Sequence, residues 1–114
     1  MLKFIMSAKI QNLTITDKKL YYTGSIQIDQ QLLDKAGILV GEKVQVLNLY
    51  SGERFETYAI AAKPGSGVAG LRGQAARLGE VGDKITVISY GIMDEAVAQK
   101  FKPKIINVKN GNKL

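Results

Sequence analysis

The chain has 114 residues, a formal net charge of +6, and neither cysteine nor histidine. That length fits one domain, and 46% apolar residues place it among globular chains able to bury a core. The two missing residue types exclude disulfides, thiolate and imidazole metal sites, and His-assisted serine catalysis, so no metal is expected and acid–base work falls to Tyr, Lys or carboxylates.

Taken in chain order, "MLKFIMSAKIQ" has no continuous apolar core of the kind a signal peptide needs, and no later run approaches the ~20 residues of a membrane span. A soluble, cytoplasmic protein without membrane contact is expected. Leu2, Phe4, Met6, Ala8 and Ile10 alternate at period two, the mark of a half-buried strand. The phase flips after Gln11-Asn12, which predicts a bulge or bend. "SIQI" is the next strand. Asp29 is placed to cap a short helix "QQLLDKA", with Gly37 as its stop. "VQVLNL" and "RFETYAIAA" form a predicted hairpin with Ser51-Gly52 at its turn. "PGSG" at 64–67 is a loop, "QAARLGE" (74–80) a second short helix, and "KITVISY" and "KIINV" the closing strands. Residues 100–114 carry five lysines and no acid, whereas the rest of the chain holds eleven bases against ten acids. A solvated basic end is the expected reading. It has one aromatic, Phe101, so the stacking pattern of single-strand binders is missing and nucleic acid is an unfavoured partner.

Two segments match without gaps at an offset of 41: "AGILVGEKVQV" (36–46) and "RLGEVGDKITV" (77–87). Each runs from a helix end through Val-Gly, an acid and Lys into an alternating strand, which argues for an internal two-fold repeat. Six short strands, two short helices and such a repeat fit a mainly β fold, a small closed barrel. The six-stranded double-psi β-barrel is the specific candidate.

Three constellations could carry chemistry. Gly24-Ser25 sits inside the strand-like run "LYYTGSIQID", where glycine weakens a strand and marks a close backbone approach. With no histidine to activate it, Ser25 has one route against its own chain. Its hydroxyl attacks the Gly24 carbonyl, the peptide becomes an ester, elimination leaves dehydroalanine, and hydrolysis leaves a pyruvoyl group at position 25. Gly-Ser recurs at Gly65-Ser66 in a turn, so the pair alone points nowhere. In "GERFETYAI", Arg54, Glu56 and Tyr58 share one strand face while Phe55 and Thr57 take the other. Arg54 could bind a carboxylate and Tyr58 could move a proton, or the face could simply be solvated. In "GLRGQAARLG", Gly73 precedes the second helix, either as an anion-holding helix start or as an ordinary turn. Lys9 lies on the first strand, at the surface or lining a cleft.

The ordered set "LYYTGSIQID", "NLYSGERFETYAIAA", "RGQAARLGEVGDKITVISYGIMDE" and "KPKIINV" resembles the pyruvoyl-dependent aspartate 1-decarboxylase family nearly end to end. The resemblance implies a double-psi β-barrel assembled as a homotetramer with active sites between subunits. It implies autocatalytic cleavage of a zymogen into residues 1–24 and 25–114, with a pyruvoyl cofactor derived from Ser25. That group would form a Schiff base with L-aspartate and act as electron sink while the α-carboxylate leaves as CO2, giving β-alanine for pantothenate biosynthesis. By the same resemblance Tyr58 donates the proton, Lys9 and Arg54 hold the substrate carboxylate, and Thr57 serves both processing and binding. Gly73, Gln74 and Ala75 contact substrate through backbone, and Tyr22 stands near the cut.

The chain departs from the family pattern at Gln11-Asn12, where many members carry His-Arg. It departs again at Arg72-Gly73-Gln74-Ala75-Ala76, where many carry Asn-Gly-Ala-Ala-Ala. Gln11 and Arg72 are therefore candidate modulators: Arg72 could slow maturation, or it could supply a carboxylate contact. Decarboxylation of another acidic amino acid such as L-glutamate, or a non-catalytic nucleic-acid-binding barrel, are the alternatives.

Overall fold

Period-two alternation dominates the sequence, and the computed structural model, which describes residues 1–114, is accordingly mainly β. Its strands are β1 (Leu2–Thr14), β2 (Asp17–Lys19), β3 (Ser25–Asp29), β4 (Lys43–Asn48), β5 (Arg54–Ala62), β6 (Ala69–Arg72), β7 (Lys84–Asp94) and β8 (Lys104–Asn107). Two short helices, α1 (Gln30–Ala36) and α2 (Glu95–Ala98), and a 3-10 turn at Gly73–Arg77 complete it. The hydrogen-bonded ladder runs β2-β6-β3-β5-β4-β7-β1-β8. The β3–β5, β2–β6 and β1–β8 pairs are parallel, and the others antiparallel. All six expected strands form. The two additional ones, β2 and β6, are three and four residues long and show no alternation to betray them.

Ile10, Leu13, Ile26, Ile28, Leu32, Leu33, Val46 and Val87 are fully buried in one continuous core. Each such side chain contributes about 1.5–3 kcal/mol relative to exposure. The predicted phase flip is a register shift between Ile10 and Leu13, with Asn12 at φ 64°. Asp29 caps α1 by accepting from Gln31 N, and Gly37 ends the helix at φ 73°. The second expected helix is shorter than its sequence suggests. Arg72 at its start offers no capping bond, and Gly79 is pressed between Ile15 and Leu71, so the chain leaves after one 3-10 turn.

The basic end is solvated as expected, its five lysines exposed, and it is also tied down: β8 lies along β1, and Asn112 is buried with its side chain bonded to Thr14 N, Thr14 O and Gly67 O. The first half of β1 is also less buried than its alternation implies. Leu2 and Phe4 are exposed, opposite Asp94 and Ile92 on an outlying ribbon of β1 and β7.

The repeat is a true two-fold. β4 and β7 pair antiparallel with Val46 opposite Val87, which are equivalent positions at the offset of 41. Gly41 N bonds Ala59 O as Gly82 N bonds Ile15 O, and Leu39 N bonds the Glu42 carboxylate as Glu80 N bonds that of Asp83. Each acid is then met by a polar side chain from the other half: Glu42 by Ser89, and Asp83 by Asn48 at 2.9 Å. Asn48 and Ser89 are themselves equivalent. Hydrogen bonds from Asn48 and from Glu80 N hold the Asp83 carboxyl below its ordinary range.

Candidate active site

The site is organised by the short strand that the sequence hides. Arg72 on β6 stands opposite Lys19 of β2 on one side and opposite Ser25 of β3 on the other. The five-residue connection from 20 to 24 therefore leaves and returns at the same rung, crossing over the end of β6. It is pressed down there. A β-carbon on Gly73 would lie 2.7 Å from Gly24 Cα, 2.8 Å from Gly24 N and 2.9 Å from Tyr22 O. Gly73 also has φ 65°, so both space and backbone demand glycine. The Gln74 side-chain oxygen would sit 3.1 Å from a β-carbon on Gly24. The Gly24–Ser25 junction is thus wedged against the Gly73-Gln74 turn. Ala75, next in that turn, is buried in the core.

Ser25 has no exposed surface. Its hydroxyl turns back along the chain toward Thr23 O, a long contact at 3.5 Å. β3 lies parallel to β5 with Ile26 opposite Ala59. Ser25 and Tyr58 each lie one residue before that first pair on their strands. Tyr58 is partly exposed. Thr57 is half-buried on the opposite face of β5, paired with Val44. The expected split of β5 holds: Arg54, Glu56 and Tyr58 outward, Phe55 and Thr57 inward.

Arg72 is turned into the chain's own strands. It is 4% exposed, and its guanidinium bonds Asp17 at 2.9 Å, Gln27 Oε1 at 2.7 Å and Leu71 O at 3.3 Å. It lies over Gly70 and 5.8 Å from the centre of the Tyr22 ring. Three of its contacts are thus made within the chain, to Asp17, Gln27 and Leu71. Asp17 and Gln27 carry no local signal in the sequence, since they lie 55 and 45 positions from Arg72 and meet it only through β6. At the far end of β3, Asp29 is buried and accepts from Gln31 N, Gly65 N and Gly67 N. Burial pushes its pKa up, but these three bonds and the Lys113 charge outweigh that and hold it below the ordinary range.

Lys9, Arg54 and Gln11 stand apart from this cluster. Lys9 is on β1 between Ile88 and Ile105, and Gln11 pairs with Asn107. Arg54 lies four residues along β5 from Tyr58, about 13 Å at strand rise, and bonds Gln45 weakly at 3.4 Å. Arg54 helps line a cleft of about 280 Å³ with Leu47, Asn48, Leu49, Gly52, Glu53 and Thr86, whereas Ser25 does not. A larger cleft of about 500 Å³ opens between Phe4, Tyr90, Ile92 and the Lys43–Glu56 ion pair.

The chain is of the class of small β proteins, and it packs a Gly-Ser junction under a glycine turn. The comparisons give that class a family. The family model described as aspartate decarboxylase matches residues 1–114. Aspartate 1-decarboxylase from Thermoanaerobacter pseudethanolicus is 51% identical over 99% of this chain and 97% of its own length. The enzymes of that name from Carboxydothermus hydrogenoformans and Phenylobacterium zucineum are 47% and 46% identical, over 96% and 100% of this chain and 87% and 97% of theirs. The chain belongs to the aspartate decarboxylase family.

Proposed function

We propose that this protein cleaves itself between Gly24 and Ser25 and, with the pyruvoyl group so formed, decarboxylates L-aspartate to β-alanine and CO2. The observation that carries the reading is the wedged junction: Gly24 pressed on Gly73, with the Ser25 hydroxyl turned back toward the segment that would be released. Attack of Ser25 Oγ on the Gly24 carbonyl frees the Ser25 nitrogen and forms an ester. Elimination expels the Gly24 carboxylate, and water then displaces ammonia to leave a ketone on residue 25. The residues present fit that group, since its atoms come from Ser25 at the head of β3, shielded from solvent. Once formed, it supplies an electrophilic carbonyl for the substrate amine and an electron sink. The chain's own residues do the rest. Tyr58 delivers a proton to the α-carbon, Lys9 and Arg54 bind carboxylate, and the 73–75 backbone positions the substrate. The relatives' shared name favours aspartate over glutamate and over a nucleic-acid role.

The working form in this reading is a homotetramer of double-psi barrels with active sites between subunits. Within a single chain Arg54 lines a cleft that does not include Ser25. A second copy could bring its own. Leu2, Phe4 and Ile92, exposed on the outlying ribbon, offer an apolar surface for such a copy. Intact-mass measurement tests the core of the reading. Two pieces ending and starting at 24 and 25 are expected, and a Ser25→Ala chain should stay whole. One full-length species that persists through prolonged warming would overturn it. CO2 release assayed with aspartate and glutamate tests the substrate, and faster turnover of glutamate would reverse the assignment.

A further inference from the structure

We propose that Arg72 is a positioning residue for the self-cleavage: its guanidinium clamps both flanks of the 20–24 connection and keeps the newly made chain end seated after the cut. The inference rests on the cleavage reading above but makes its own structural claim. Three contacts converge on one side chain. Asp17 lies on the strand entering the connection, Gln27 on the strand leaving it, and the Tyr22 ring inside it. Arg72 is also the rung shared by both flanks, opposite Lys19 and Ser25.

The clamp spans the scissile bond. Asp17 and Tyr22 belong to residues 1–24, while Gln27 and Arg72 belong to residues 25–114. When the bond breaks, the 2.9 Å ion pair and the 2.7 Å hydrogen bond still tie the two pieces together. The guanidinium is 4% exposed and the Asp17 carboxylate 40%, so the arginine end of the pair is buried while the acid end still meets solvent and salt. Nη2 makes both strand contacts while Nη1 donates to Leu71 O, so the rigid guanidinium plane fixes their geometry in a way a flexible lysine ammonium does not.

Two measurements separate this claim from the cleavage reading itself. In the uncleaved Ser25→Ala chain, Arg72→Gln should speed amide exchange of residues 18–24 at least about tenfold, with β1 and β7 unchanged, as expected when a charge-assisted anchor of one segment is lost. Asp17→Asn should do the same, and the Asp17→Asn/Arg72→Gln double variant should be no worse than either single one. In chains with Ser25 intact, Arg72→Gln should slow the first-order appearance of the two pieces at least about tenfold, and Arg72→Lys should recover only part of the rate. Exchange that stays unchanged in 18–24, or rises uniformly through the chain, overturns the clamp. Loosened exchange with an unaltered cleavage rate overturns its role in processing. A wild-type chain that never cuts itself removes the cleavage reading and this processing role together, while the exchange data still decide the clamp.

Discussion

Gly73→Ala tests whether the packing of Gly24 on the Gly73 turn governs the reaction. The added methyl would fall 2.7–2.9 Å from three backbone atoms, none of which can swing aside as a side-chain tip would. Alanine at φ 65° costs about 1–2 kcal/mol, and forcing a methyl into a packed site about 1–3 kcal/mol more. The total of about 2–5 kcal/mol corresponds to a Tm lowered by about 8–20 °C for a chain of this size, at about 4 °C per kcal/mol. If the 20–24 connection lifts away to relieve the overlap, the loss shrinks to the backbone part and cleavage stops instead. Melting is measured in the Ser25→Ala background, so that both chains are whole, and the cleavage half-time by intact mass with Ser25 present. Gly79→Ala is the control. Its methyl would meet the tips of Ile15 and Leu71 at 2.7 and 2.9 Å, a core clash away from the junction. It should lower Tm while leaving cleavage near the wild-type rate. A Gly73→Ala chain that melts within about 2 °C of its parent and cuts itself at the parent's rate would refute the reasoning.

Three other outcomes follow from the same structure. Tyr58→Phe should leave self-cleavage intact and lower aspartate turnover by about 10²–10⁴-fold, the range for a lost general acid, read by CO2 release from fully cleaved protein. Asp29 has a folded pKa depressed below 3.8, so its stabilisation is present above that value and lost as pH falls through the folded pKa. Asp29→Asn should flatten this acid limb of a Tm–pH profile and, by setting an amide NH2 against Gly67 N–H, cost about 1–3 kcal/mol near neutral pH. Asn112→Ala strands Thr14 N and two carbonyls in the interior and should destabilise by about 2–3 kcal/mol in urea melts, tying the last residues of the chain to the global fold.

The sequence made six strands, the α1 caps and the Asn12 bulge legible because each rests on a local signal: alternation, an Asp–Gly bracket, a phase flip. It hid β2 and β6 because "DKK" and "AGLR" are strands only by virtue of what they pair with. That omission matters for the site. Without β6 there is no reason to place Lys19 and Ser25 on one rung, or to look for Asp17 and Gln27 beside Arg72. Arg72 was visible as a departure from the family pattern, but its burial was not, since nothing local distinguishes a committed guanidinium from a free one. The Gly-Ser junction was found through the company it keeps in order along the chain. That Ser25 and Tyr58 each lie one residue before the first β3–β5 pair became visible only with that register. Lys9 and Arg54 remain separate from them within one chain.

The reciprocal bonds across the two-fold have a consequence for the proposed cleavage. Glu42, Asn48, Asp83 and Ser89 all lie beyond residue 25, so the knot that each half ties for the other sits wholly within the longer piece. Each half holds the acid of its twin, which ties the two 41-offset segments to each other across β4 and β7. A cut at 24–25 would leave those four residues on one piece, while Ile15, whose carbonyl accepts from Gly82 N, and Ser7, bonded to Ser89, would go with the other. The two-fold would then be a seam that holds the shorter piece to the longer one.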